Sequence, residues 1–268
     1  IMNFLGAFTA ATDGLCFLGG EIYDLEGRGL LFGEGLSAPN ADRVAKRALI
    51  LLALSNRALL EQASGTEHAA EAEQNRAELS AWINACPGLV EECEPHERQL
   101  LQTPIGEGEQ NAIINALWRA EGAHVLLWAL GKYGLPACDS QEHPFDVGMT
   151  VGLYKENVPL LQEPSLKPIE EIESRRLLLQ GLNWRLTEFR FNSKPYDFRA
   201  LAAENSFGVF DLADTVLAED DLAIADAPIT RADAEAVQLA TSIAIERHLA
   251  ANWLIGAHPL YSRVLAPT

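Results

Sequence analysis

The chain has 268 residues, 48% hydrophobic and 22% charged, which is enough to bury a substantial core and too apolar for disorder. Its 20 Lys+Arg against 38 Asp+Glu leave a formal charge of −18 and a pI near 4.7. Such a surface repels phosphate backbones and speaks against direct binding of nucleic acid or anionic membranes.

The longest apolar run, Ala48 to Leu54, is far shorter than the about 20 residues of a membrane-spanning helix, so a soluble protein is expected. The apolar start, Met2 to Phe8, has no base before Arg28 and is interrupted by Asp13, a poor secretory signal. Cys16, Cys86, Cys93 and Cys138 are irregularly spaced with no CxxC pair, so neither a disulfide framework nor a zinc ribbon is predicted. A reducing cytoplasm is the expected compartment.

In chain order, residues 1–36 carry short apolar runs (Leu15 to Leu18, Ile22 to Leu25, Leu30 to Phe32) separated by Gly19-Gly20 and Gly27-Arg28-Gly29. This predicts a small N-terminal β meander with glycine turns. Residues 37–268 read as one helical domain on which it packs. Asn40 caps a helix carrying Val44, Ala48, Leu51, Leu52, Leu59 and Leu60, as a plain N-cap because Arg43 stands where a capping box needs Glu or Gln. An Ala/Glu-rich helix from about Glu67 to Ala85 stops at Cys86-Pro87-Gly88, and Glu94-Pro95-His96-Glu97-Arg98 opens a short one. The next helix, about Glu109 to Lys132, places Ile114, Leu117/Trp118, Glu121, Val125 and Trp128 on one face. Residues 134–168, with five prolines, read as irregular apart from a turn around Val147 to Tyr154. Helices follow over about Ile169 to Phe191, Phe198 to Asn205 and Arg231 to Ile255, and residues 206–229 read as an acidic loop. The expected fold class is mainly α.

Two segments carry the negative excess. Residues 66–109 hold ten acids against two bases, and residues 203–235 hold nine acids against Arg231. In the second segment acids alternate with Val216, Leu217, Leu222 and Ile224, which suits a partner-binding loop. Its candidate residues are Asp211, Asp214, Glu219, Asp220, Asp221 and Asp226.

Catalytic signatures are missing: the chain has no GxSxG, SxxK, HExxH, zinc-deaminase or EF-hand pattern, and Gly27-Arg28-Gly29 does not extend to GxGxxG. Glu121-Gly122-Ala123-His124 is an ExxH on a helix, and Glu246 and His248 lie on another. A di-iron site needs a second ExxH and two more helical glutamates, so no metal or cofactor is expected. Glu121 and Glu246 sit on apolar stripes, where Arg119, Arg185 and Arg247 are the available partners. Cys138-Asp139 with His143 reads as a free cysteine in a loop rather than a nucleophile and its base.

Three longer segments carry a resemblance. Ala116-Leu117-Trp118-Arg119-Ala120-Glu121 through Leu126-Leu127-Trp128-Ala129-Leu130-Gly131 resembles the central helix of a bacterial family named only as domain of unknown function 4272. Trp184-Arg185 is similar to a later helix of that family, and Glu246 to Leu254 to its closing helix. Glu94 to Arg98 is similar to its SPxER element. The likeness spans roughly residues 40 to 256, while the Tyr261-Ser262-Arg263-Val264 tail departs from the family's ending. It implies a compact helical domain with no established shared activity. It also implies one setting: some members look like immunity proteins encoded beside type VI secretion toxins, one of them a DNase. The expectation is an immunity protein, not an enzyme, that binds a cognate nuclease toxin and covers its basic DNA-binding or catalytic surface. The alternatives are an enzyme using the Glu121/His124/Glu246/His248 region or Cys138, and a regulatory adaptor.

Overall fold

The computed structural model describes residues 16–18, 21–23, 37–204, 208–212 and 215–267. Helix α1 (Ala41–Leu60) starts where expected: the Asn40 side chain accepts a hydrogen bond from the Arg43 amide at 2.9 Å. Every residue from Arg47 to Ala58 is buried. A helix buried on all faces must be surrounded. The helices around α1 are α2 (Ala69–Ala85), α3 (Leu89–Glu92), α4 (Pro95–Gln102), α5 (Gln110–Ala129) and α6 (Pro144–Val151).

Glu109 caps α5 by accepting from the amides of Asn111 and Ala112. The helix has two environments. Ile114, predicted on the inner face, is exposed in the first half, whereas Ala120 to Ala129 is buried all round. The second half lies between α1 and α9 (Ala234–Leu254), and α9 packs in turn on α7 (Ile169–Phe191). The layer order α1, α5, α9, α7 therefore defines the bundle. Gly131, with φ +64°, ends the helix, letting the Lys132 amide bond back to the Leu127 carbonyl.

The described residues are mainly helical, but two regions differ from the sequence reading. The proline-rich segment holds α6, with Pro144 in its first turn and Gly152 (φ +106°) at its end. The acidic segment read as a loop is a three-stranded antiparallel sheet: β3 (Leu217–Ala218), β4 (Asp221–Ile224) and β5 (Ala227–Pro228). Two-residue turns join the strands, Glu219-Asp220 at φ +56° and +65° and Ala225-Asp226 at φ +50° and +61°. Positive φ at both turn residues matches the twist of the flanking strands, as in a type I′ hairpin. All four residues of β4 are buried against α9 and α8 (Phe198–Ala203). The three-stranded sheet is thus near the C-terminus, not N-terminal as expected. At the N-terminal end the described residues form one antiparallel pair, β1 (Cys16–Leu18) with β2 (Glu21–Tyr23). The third predicted strand and the rest of the appendage over 1–36 lie outside the described residues.

Candidate functional site

The acids proposed to meet a partner occupy different environments. Asp221 is buried in β4 and accepts from Arg185 Nε at 2.8 Å and Nη2 at 2.6 Å. It also accepts from the Tyr196 amide at 3.0 Å and the Leu222 amide at 2.8 Å. Glu219 and Asp220 are exposed in the β3–β4 turn. Glu219 lies 2.7 Å from Arg231, whose hydrogen bond holds its carboxyl below the usual range, and Asp220 lies 3.3 Å from Arg199. Asp226 is exposed in the second turn and Asp211 is exposed before β3, whereas Asp214 lies outside the described residues. Val216 is exposed, while Leu222 and Ile224 belong to the core. The segment is a braced hairpin unit with one acid committed to its interior.

The four residues of the alternative reading do not converge. Glu121 is paired with Arg247 (Nε 2.9 Å, Nη2 2.8 Å), and Arg247 also donates to the carbonyls of Pro136, Ala137 and Ser140. Glu246 accepts from Arg119 at 2.9 and 3.0 Å, and burial raises its pKa against that arginine's pull. His248 points elsewhere, 3.0 Å from the Asn183 amide and 3.2 Å from that of Asn252, and burial pushes it down to about 3. The same two asparagines hold the carbonyls of Ala266 and Leu265, tying down the tail. His124 is buried 3.9 Å from Glu121 and 3.7 Å from Glu142, beyond hydrogen-bond range, and burial lowers its pKa too. Among the described residues no His/Cys/Asp/Glu group has metal-binding geometry. Burial pushes the Cys138 thiol up to about 11, with Asp139 adding to it, so it carries little thiolate at neutral pH.

A second buried network was not singled out in the sequence. Arg47, inside α1, bonds to Glu97 at 2.9 Å and to Glu92 at 2.9 Å. The Tyr261 ring sits 5.8 Å from the Arg47 guanidinium and 5.4 Å from that of Arg119. Its hydroxyl presses on Gly122, where a Cβ would come within 2.0 Å, so only glycine fits this approach. Glu97 also reaches back to the Glu94 amide at 2.8 Å, completing the start of α4. The signal available in the sequence was an arginine in the middle of an otherwise apolar helix.

These pairings fix the charge distribution. Among the described residues the buried charged side chains are Arg47, Arg57, Arg185 and Arg247 against Glu94, Glu97, Glu121 and Asp221. His124 and His248 are held uncharged by burial. The interior of the described residues is therefore neutral, and their negative excess lies on the outside. Depressions open on that surface, and three of them bear on the residues above. One of about 380 Å³ between α4 and α5 has Glu97 and Arg119 in its wall. Two others, of about 570 and 490 Å³, share Leu59 and His143.

A family model described as "Domain of unknown function (DUF4272)" matches residues 33–199. That span includes Glu94 to Arg98, the Trp118-Arg119 helix and Trp184-Arg185, and ends before α9. No curated protein and no solved structure matches the chain.

Proposed function

The chain belongs to the DUF4272 family, and since that description assigns no activity, we propose from the chain's own charge distribution that it is an immunity protein. In this reading it binds a cognate antibacterial nuclease and covers its basic DNA-binding or catalytic surface, with no chemistry of its own. The observation that carries the reading is the neutral interior: four arginines and four carboxylates are buried together, so the negative excess of the described residues lies on the exterior. A nuclease must present a basic face to DNA, and an acidic inhibitor competes for it. Attraction between such surfaces raises association rates toward about 10⁸–10⁹ M⁻¹s⁻¹, fast enough to intercept the enzyme before its substrate. Among the described residues no helix is long and apolar enough to cross a membrane, which agrees with action on a diffusing partner.

The test is inhibition of a nuclease encoded beside this protein's gene. Equimolar protein should stop plasmid cleavage, and co-expression should restore growth to cells making the nuclease. Cleavage at an unchanged rate in excess protein would refute the reading.

A further inference from the structure

The two depressions that share Leu59 and His143 form one groove. It runs from α2 and the C-terminal end of α1, past α6, to the outer face of α5. None of its lining residues is Lys or Arg, whereas Glu78 lies in one depression and Glu121 and Glu142 in the other. Glu121 is neutralised from below by Arg247. The other two are not neutralised. Glu142 accepts from the Tyr133 hydroxyl at 2.5 Å, and Glu78 from the Gln74 amide at 2.9 Å. Neither has a Lys or Arg partner among the described residues.

Between these carboxylates the surface is apolar. Phe145 and Met149 are 44% and 40% exposed on α6, and Trp118 and Tyr154 are half-buried in the walls. Large exposed apolar side chains in a concave site, flanked by unpaired charge, are the ingredients of an anchor pocket with steering at its rim. Methionine adapts its shape to what it meets, and an aromatic wall attracts cations. In the β3–β4 turn, by contrast, each acid already holds an arginine.

We propose that this groove, rather than the hairpins of 217–228, seats the partner, and that it takes a protein segment in which basic side chains flank one or two apolar ones. The inference rests on the reading that the chain captures a basic protein, and charge complementarity selects the occupant. The basic groups pair with Glu78 and Glu142, and the apolar ones pack on Phe145 and Met149.

The probe is a fluorescein-labelled twelve-residue peptide with arginine near each end and leucine and phenylalanine between, read by anisotropy. The Glu78→Gln/Glu142→Gln variant, isosteric and partly exposed, should weaken binding by at least about tenfold. Replacing the apolar residues of the peptide with serine should do likewise, and Glu219→Gln/Asp220→Asn should leave affinity unchanged. A photo-crosslinker at position 149 should join to the peptide. No saturable binding, equal binding of the serine peptide, or indifference to the double glutamate change would overturn the proposal. So would crosslinking to residues 1–36, or a dimer that Met149→Asp splits, since the groove would then already be filled. Full nuclease inhibition by Glu78→Gln/Glu142→Gln would overturn the groove and leave the immunity reading standing. Groove-dependent peptide capture without nuclease inhibition would do the opposite.

Discussion

Replacing Asp221 with alanine separates a structural acid from a partner-binding one. The side chain accepts two hydrogen bonds from Arg185 and one each from the Tyr196 and Leu222 amides, while Arg185 is itself fully buried. Breaking a buried pair on one side costs about 3–5 kcal/mol, because the remaining charge is stranded. Here Arg185 keeps Glu188 at 2.8 Å and the Lys194 carbonyl at 2.9 Å, which favours the lower part of that range. The stranded Tyr196 amide adds about 1 kcal/mol. With a urea m-value of about 3 kcal/mol/M, the unfolding midpoint should fall by about 1–1.5 M. Asp221→Leu with Arg185→Met removes both charges and should recover much of the loss. Glu219→Ala, in an exposed pair, should leave the midpoint unmoved. Urea titration followed by far-UV circular dichroism and tryptophan fluorescence measures all three. If Asp221→Ala kept the parental midpoint and instead lost partner binding, the structural assignment of this acid would be wrong.

Trp128→Ala should cost about 3–5 kcal/mol as a large-to-small core change. It removes a buried ring flanked by Arg175 at 5.1 Å and Lys167 at 5.3 Å, and a midpoint shift near zero in urea would count against this packing. Ala225→Gly should raise stability by about 1 kcal/mol, since alanine at φ +50° carries a left-handed penalty that glycine lacks. Calorimetry would show the gain as a higher Tm. His248 is held at about 3 against 6.5 when unfolded, so below pH 6.5 the unfolded chain binds a proton that the native state refuses. Its contribution is fully present above pH 6.5 and is lost by up to about 1.4 kcal/mol per pH unit as pH falls toward 3. Urea midpoints at pH 7.5 and 5.5 should show this slope, and His248→Gln should flatten it.

Helices were legible where local signals coincide: Asn40 before a dense apolar run, and Cys86-Pro87-Gly88 closing α2. The pairing of Glu121 and Glu246 with Arg247 and Arg119 was legible too, because a carboxylate on an apolar stripe needs a cation. Arg185, also offered for that role, instead meets Asp221, which is 36 residues away and joined to it only by tertiary folding. The hairpins were missed because their turns use Glu219-Asp220 and Ala225-Asp226, without the glycine or asparagine that marks positive φ. Helix α6 was missed because five prolines in one segment mask that Pro144 stands in a first turn, where its lacking N–H costs nothing. The groove could not be read from sequence, since α1, α2, α5 and α6 each supply only a few of its residues.

The most direct test of the account is the association rate of this protein with the neighbouring-gene nuclease, measured by stopped-flow fluorescence at low and high ionic strength. Attraction between an exterior that carries the negative excess of the described residues and a basic face predicts a rate that falls by about 10-fold or more as salt is raised from about 20 to 300 mM. Rapid binding that ignores salt, or no binding at either concentration, would contradict it.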